Sequence, residues 1–125
     1  MNDKTIEQEI QAKGLTAPRV TPDAIEAEIT HFYYINAGEA HRANWPDPNA
    51  KDEEHPSINL LTFCVLVLRN GFTVTGESAC ASPDNFDAEI GRKIARQNAV
   101  QKIWPLLGFR LRDELTSLPD HPGLG

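Results

Sequence analysis

The chain lacks a long apolar run, an excess of positive charge and a high cysteine content. None of its apolar stretches reaches the roughly 18 residues of a membrane-spanning helix. A formal net charge of −6 over 125 residues argues against a protein that coats duplex nucleic acid, which needs a broad basic surface. The opening MNDKTIEQEI has no signal-peptide apolar core, so we expect a cytosolic protein in which Cys64 and Cys80 are free thiols.

Patterns typical of metal binding or catalysis are also scarce. The four histidines are scattered and share no ligand spacing with a cysteine or carboxylate, so we expect no metal site. No serine lies in the glycine-flanked turn of a hydrolase nucleophile. We therefore expect a protein that is not an enzyme and carries no cofactor.

A β-hairpin is the clearest local signal in the chain. Asn70-Gly71 lies between two apolar runs and predicts a two-residue type I′ turn, which places Val67 opposite Val74 and Val65 opposite Gly76. The predicted core face of this hairpin then consists of Phe63, Val65, Val67, Phe72 and Val74. The first strand is apolar on both faces, so we expect it inside a sheet, with its second face covered by the N-terminal part or by another subunit.

A long amphipathic helix is predicted after the hairpin. Asp84 or Asn85 is expected to cap it, and Pro105 to end it just after Trp104. Small residues recur along one side of this helix, which indicates that another element packs closely there. These residues are Gly91, Ala95 and Ala99.

Shorter elements are expected before the hairpin. Residues 3–13 predict a helix within an N-terminal arm, 1–18, and Thr21-Pro22 predicts a second helix start. The run 31–35 is aromatic and β-branched, which suits a strand that would complete a three-stranded antiparallel sheet. A continuation of the second helix to Tyr34 is the alternative, and we favour the helix because Ile25, Ile29 and Phe32 keep helical spacing.

Two further segments are predicted to be irregular. Residues 37–57 predict a long acidic, proline-rich loop, either mobile or closing as a lid through Trp45 and Arg42. The alternation around Phe109 and Leu111 predicts a short strand or extended arm before a flexible tail, 117–125. Together these patterns predict a single α+β domain: a small antiparallel sheet packed by one long C-terminal helix and short N-terminal helices.

A set of polar, cationic and aromatic residues is the strongest candidate for a binding site. An aromatic ring stacks on a base, amides bind base edges and guanidinium groups bind phosphate. Alternatively, the aromatic ring belongs to the core, the amide in the helix ties down a loop, and the arginines form a solvated edge. The candidate residues are Phe86, Asn98, Arg92, Arg96, Asn85, Arg69, Arg110 and Arg112.

The motif NGFTVTGESAC, followed by NFDAEIGRKIARQNAVQKIW and LLGF, resembles a small phage-encoded family known as phage protein forty-nine/sixty-six. The upstream TAPRVTPDAIEAEI also resembles the opening of that family, so the similarity runs from about Thr16 to Leu115. This family is in turn similar to the first Thoeris anti-defence family, whose members bind cyclic ADP-ribose isomers, and in some cases cyclic oligonucleotides, without cleaving them.

The resemblance implies a sponge for a cyclic nucleotide immune signal, acting in the cytoplasm of an infected bacterial host. It also implies a dimer or hexamer with a pocket at the subunit boundary, where an aromatic ring stacks on adenine and arginines bind pyrophosphate. Phe86, Asn98, Arg92, Arg96 and a tail arginine are the positions that would fill these roles. The alternatives are a protein–protein inhibitor of a host factor and a non-catalytic accessory protein of the phage particle.

Overall fold

A computed structural model of the chain describes residues 3–15, 17–44 and 54–117. The fold is α+β, as predicted, with a three-stranded antiparallel sheet and a bent C-terminal helix. None of the described helices is long and apolar enough to cross a membrane. In chain order the elements are α1 (Asp3–Ala12), α2 (Pro22–Glu28), β1 (Ile29–Asn36), α3 (Ala37–Asn44), β2 (Leu61–Leu68), β3 (Thr73–Ala79), α4 (Ala88–Gln101) and α5 (Ile103–Thr116), with short 3-10 turns at Pro56–Leu60 and Pro83–Asn85.

Local sequence signals correctly predict where α1 ends and where α2 begins. Gly14, at φ +70°, follows α1 in the left-handed conformation that suits glycine after a helix. The Thr21 hydroxyl accepts a 3.1 Å hydrogen bond from the Ala24 amide, and Pro22 occupies the first turn of α2. Local backbone chemistry therefore determines both boundaries.

The favoured helix over residues 29–34 is wrong, and the strand alternative is correct. α2 ends at Glu28, and β1 pairs antiparallel with β2, with Tyr33 opposite Val65 and Ile35 opposite Phe63. Pairing with a central strand satisfies the backbone groups of β1, and its aromatic and β-branched side chains suit a pleated surface. Helical spacing in an eight-residue window could not reveal this long-range partner.

The hairpin turn differs from the predicted type I′ turn by one residue. The Gly71 amide donates to the Leu68 carbonyl, and the Leu68 amide donates to the Phe72 carbonyl, both at 2.8 Å. Among the described residues only glycines have positive φ, and Gly71 has φ +87°, so Asn70 does not adopt the conformation that type I′ requires. The loop is therefore the three-residue form that ends in a left-handed glycine.

This one-residue shift changes which face of β2 packs in the core beside Val74, because side chains alternate along a strand. Val74 lies opposite Leu66, and Gly76 lies opposite Cys64. The predicted core residues Phe63, Val65 and Val67 are half-buried on the other face, and Phe72 is exposed, so only Val74 of that set is in the core. The core consists of Ile25, Cys64, Leu66, Leu68, Val74, Ala95, Ala99, Ile103 and Leu107.

The close approach predicted from the small-residue ridge of α4 is confirmed. Gly91, Ala95 and Ala99 are all buried, and α4 lies directly on β3. A Cβ placed on Gly76 would lie 2.2 Å from the Ala99 nitrogen and 2.3 Å from the Ala95 oxygen. Gly76 therefore lets the helix backbone rest on the strand.

The predicted boundaries of the long helix are wrong at both ends. Asp87, rather than Asp84 or Asn85, caps α4 by accepting a 3.0 Å hydrogen bond from the Ile90 amide. Pro105 lies in the first turn of α5, where backbone N–H groups have no acceptor within the helix, so proline removes no helical hydrogen bond there. The chain therefore bends at this point and stays helical. Residues 109–112, predicted as a strand or extended arm, therefore lie within α5.

Part of the predicted loop 37–57 is regular structure, because residues 37–44 form α3. Arg42 ties this helix to the chain before β2, with Nη1 at 2.5 Å from Glu54 and 2.8 Å from the Asn59 side-chain oxygen. Residues 45–53 of the predicted loop, which include Trp45 of the proposed lid, and residues 118–125 of the tail lie outside the described residues. Cys64 and Cys80 are free thiols.

Candidate functional site

A groove between the N-terminal helices and the face of α4 and α5 has a volume of about 960 Å³. α1 forms one wall because the Asp3 carboxylate holds it there. Oδ2 of Asp3 accepts from Trp104 Nε1 at 3.1 Å and from Gln101 Nε2 at 3.2 Å. The groove is lined by Asp3, Lys4, Pro22, Asp23, Ile25, Glu26, Lys93, Arg96, Gln97, Asn98, Val100, Gln101 and Trp104.

Arg96 is the best-oriented cation of this groove. Its Nη1 and Nη2 donate to the two carboxylate oxygens of Glu26 at 3.2 and 3.1 Å, which fixes the plane of the guanidinium. The hydrogen bonds that Arg96 donates to Glu26 raise the pKa of Arg96 above its ordinary value. Burial raises the pKa of the Cys64 thiol, and the charge of Arg96 opposes that shift. Arg96 therefore stays charged beside a core thiol that stays protonated at neutral pH.

Asn98 also lines the groove, but its amide nitrogen is already used. Nδ2 donates to the Glu77 carbonyl of β3 at 2.8 Å. The side chain is exposed, so it differs from the buried amide of the alternative interpretation although it does tie down a backbone group. Its side-chain oxygen is the acceptor that it offers to a ligand.

A second cluster gathers Arg69 and Arg110 around Glu28 at the junction of α2 and β1. Glu28 is only 4% exposed. Nη2 of Arg110 lies 2.6 Å from its carboxylate, and Nη1 of Arg69 lies at 3.9 Å. The hydrogen bond to Glu28 raises the pKa of Arg110. Because a buried carboxylate needs compensating partners, this cluster holds α5 against α2 and the hairpin loop.

The other candidate residues lie apart from the groove. Asn85 is exposed in the turn before α4, and the Phe86 ring packs beside Gly91 in the first turn of that helix. Neither Asn85 nor Phe86 is among the residues that line the groove. Arg92 and Arg112 are exposed and do not line the groove.

The single cleft expected from sequence is therefore not assembled in the chain as described. The groove contains Arg96 and Asn98, and the Glu28 cluster contains Arg69 and Arg110. Sequence reasoning missed Lys4, Lys93 and Trp104 of the groove. Nothing in the local pattern pairs Asp3 with Trp104, which lie about a hundred positions apart, so no sequence signal marks this wall.

The groove is electrostatically mixed rather than basic. Three cationic side chains, Lys4, Lys93 and Arg96, face three carboxylates, Asp3, Asp23 and Glu26. The remaining polar lining consists of amides, and Trp104 contributes a half-buried indole. Such a lining can donate hydrogen bonds and stack on a flat ring. Within the described ranges no group of three or more histidine, cysteine or acidic side chains is arranged to hold a metal ion.

Comparison with known proteins gives one match. A model of the Phage protein (N4 Gp49/phage Sf6 gene 66) family matches residues 20–115, which cover β1 to β3, α4 and nearly all of α5. No curated protein matches the chain. No solved structure matches it.

Proposed function

We propose a function from the premise that the chain belongs to this phage protein family, which the match over most of its length establishes. In this proposal it is a phage accessory protein that sequesters, without cleaving, a cyclic nucleotide immune signal in the cytoplasm of the infected host. The ligand class is a cyclic ADP-ribose isomer or a cyclic oligonucleotide, as the resemblance to the first Thoeris anti-defence family implies.

The observation that carries the proposal is the composition of the groove. Arg96 presents a guanidinium with fixed orientation, and Lys4 and Lys93 add charge for a pyrophosphate. Trp104 takes the stacking role that sequence reasoning assigned to Phe86, and Asn98 offers an acceptor to a base edge. A volume of about 960 Å³ lies at the upper end of ordinary ligand sites, roughly 300–1,000 Å³.

The required affinity constrains how the ligand is held. A protein that sequesters a signal in competition with its cellular receptor needs a Kd for that signal of about 1 nM, which corresponds to a binding free energy of about −12 kcal/mol. A small ligand reaches that affinity only when most of its surface is buried, and an open groove leaves one side in water. In our proposal a second subunit therefore completes the site, in agreement with the dimer or hexamer that the resemblance implies.

A pair of matched arginine variants tests the site. With ligand at one hundred times its Kd, the wild-type chain should gain about 2.7 kcal/mol of stability, read as a thermal shift. Arg96→Ala should lose that shift. Arg92→Ala should retain it, because Arg92 lies one turn earlier on α4 and outside the groove lining. If Arg92→Ala and Phe86→Ala lose the shift while Arg96→Ala keeps it, the site lies at the start of α4 instead.

Replacing Glu26 tests the same site through an expected gain in ligand affinity. Its carboxylate occupies two Arg96 donors that an anionic ligand would also use. Glu26→Gln removes the competing charge and should tighten binding by about 1 kcal/mol, or about fivefold. Weaker binding by this variant would mean that Glu26 orients Arg96 for the ligand instead of competing with it.

The fate of the ligand separates the functional classes. Denaturing the complex should return the cyclic nucleotide intact, whereas a hydrolysed product would make the protein an enzyme. Capture of one stoichiometric host protein, together with no thermal shift from any cyclic nucleotide, would instead favour the protein–protein inhibitor.

A further inference from the structure

Two side-chain donors in the groove converge on a single carboxylate oxygen. Trp104 Nε1 and Gln101 Nε2 lie 3.1 and 3.2 Å from Oδ2 of Asp3. An indole N–H can only donate, and N–H groups bind a charged oxygen more strongly than a neutral one. Both donors lie where α4 passes into α5, whereas Asp3 reaches them from the first turn of α1. The pair is therefore arranged to bind an anionic oxygen, and the free chain fills it with its own carboxylate.

The helix that brings Asp3 to this pair is attached weakly. None of the residues of α1 is buried, and its half-buried residues are Asp3, Glu7 and Ile10. Glu7 accepts a hydrogen bond from Arg19, so two of these three half-buried residues are carboxylates in polar contacts. Segments that bury few apolar side chains open locally at a small fraction of the free energy of global unfolding. Asp3 can therefore leave the two donors while the sheet and α4 stay folded.

The lining of the groove becomes net positive when the Asp3 carboxylate leaves it. With Asp3 in place, three cationic side chains face three carboxylates. Without it, the same three cations face the two remaining carboxylates, and the indole N–H and the Gln101 amide lose their acceptor. Unpaired donors and a net positive lining both favour an anion, and phosphate offers the charged oxygens that such groups bind. The position that the carboxylate vacates therefore suits a phosphate oxygen.

We infer that the Trp104–Gln101 pair is a phosphate subsite of the groove, and that Asp3 occupies it until a phosphate of the ligand takes its place. This inference rests on the proposed function, to which it adds the donors that hold the phosphate. A carboxylate tethered by α1 is present at a high effective concentration, so an anion that binds this pair alone competes poorly. A ligand that also binds elsewhere in the groove displaces it, which makes Asp3 a determinant of specificity. α1 lies before residues 20–115, so this role concerns a segment outside the family match.

Binding of inorganic pyrophosphate, measured by isothermal titration calorimetry on the full chain, tests the subsite. Asp3→Asn keeps the size of the side chain and removes its charge, so it should bind pyrophosphate about fivefold more tightly than the wild type. Glu9→Gln removes the same charge from the exposed side of α1, where Glu9 pairs with Lys13, and should change the affinity by less than about twofold. Equal gains in the two variants, or no gain in Asp3→Asn, would overturn the inference.

Loss of either donor should reverse the gain. Trp104→Phe, added to Asp3→Asn, keeps an aromatic ring and removes the indole N–H, so the affinity for pyrophosphate should fall back toward that of the wild type. Gln101→Ala in the same background should act likewise, and because Gln101 is exposed, this variant leaves the packing of α5 unchanged. Circular dichroism checks the fold of both variants. A gain in affinity that survives both substitutions would contradict the assignment of the donors.

The contact of Asp3 with Trp104 is also measurable without a ligand. Trp45→Phe leaves Trp104 as the sole tryptophan of the chain. In this background, acrylamide should quench the fluorescence of Trp104 more strongly in Asp3→Asn than in the parent, and equally in Glu9→Gln and the parent. Equal quenching in all three proteins would mean that Asp3 does not hold α1 over the indole.

These measurements separate the subsite from the proposed function. If no cyclic nucleotide gives a thermal shift but the pyrophosphate and quenching differences are present, the proposed function is wrong and the subsite stands. If Arg96→Ala loses the cyclic nucleotide shift but Asp3→Asn binds pyrophosphate no more tightly than the wild type, the subsite is wrong and the proposed function stands.

Discussion

Replacing Gly76 with alanine tests the closest contact in the fold. The added Cβ would lie 2.2, 2.3 and 2.8 Å from backbone atoms of Ala99, Ala95 and Asn98. Real Cβ contacts essentially never fall below 3.0 Å, so the helix must retreat by at least 0.8 Å at the closest of these points. Backbone atoms cannot rotate away as a side chain can, and the shift therefore involves α4 as a whole.

The energetic cost follows from the packing that this retreat opens. A radial gap of about 0.5–1 Å forfeits a quarter to a half of the dispersion energy at each contact. Overpacking in a core typically costs about 1–3 kcal/mol, and a clash with three helix backbone atoms belongs at or above the upper end. We therefore expect Gly76→Ala to lose about 3 kcal/mol or more, a large share of a typical total of about 5–15 kcal/mol.

Urea denaturation followed by far-ultraviolet circular dichroism measures this loss, with two glycines of the same chain as controls. Gly108→Ala should gain about 0.5–1 kcal/mol, since Gly108 lies inside α5 with nothing within 4 Å of an added Cβ. Gly91→Ala should change little, because its helical gain offsets a 3.2 Å contact with the Thr62 hydroxyl. A Gly76→Ala variant within about 0.5 kcal/mol of the wild type would refute the reasoning.

Three further predictions follow from individual side chains. Arg110→Ala should cost about 1–2 kcal/mol because it removes the 2.6 Å partner of buried Glu28, whereas Arg69→Ala should cost under about 0.5 kcal/mol, since its contact is 3.9 Å and exposed. Burial raises the pKa of Cys64, so the unfolded chain loses its thiol proton first, and stability should fall as pH rises above the ordinary value of 9.0. Asp87→Ala should cost about 1 kcal/mol through the lost cap of α4.

Each of these has a matched control. Equal losses for the two arginine variants, measured by urea denaturation, would mean that the Glu28 contact does not stabilise the fold. The fall in stability between pH 9 and 10 should persist in Cys80→Ser and become shallower in Cys64→Ala, and a slope common to both variants would contradict the assignment. Asp84→Ala should leave stability unchanged, and a loss equal to that of Asp87→Ala would mean that the cap lies earlier.

Sequence reasoning predicted the features that depend on neighbouring residues. The Thr21 cap of α2, the glycine after α1 and the existence of the hairpin all follow from local backbone chemistry. The small-residue ridge of α4 also predicted a close approach, because glycine in a helix interior needs a packing reason. These local features were sufficient to predict the α+β class without knowledge of which segments pack together.

The site was much less predictable than the fold. Of eight candidate residues, the structure places Arg96 and Asn98 in the groove, whose other wall depends on the contact of Asp3 with Trp104. Whether these residues bind a nucleotide stays a prediction.

What the sequence determined by itself is the set of local boundaries and the class of the fold, since caps, turns and periodicity act over a few residues. Tertiary structure decided the rest. A single extra residue in the hairpin loop selected which face of β2 is buried, and pairing with β2 made residues 29–36 a strand. Both outcomes depend on contacts between distant segments, whose free energy outweighs the small local preferences that sequence patterns record.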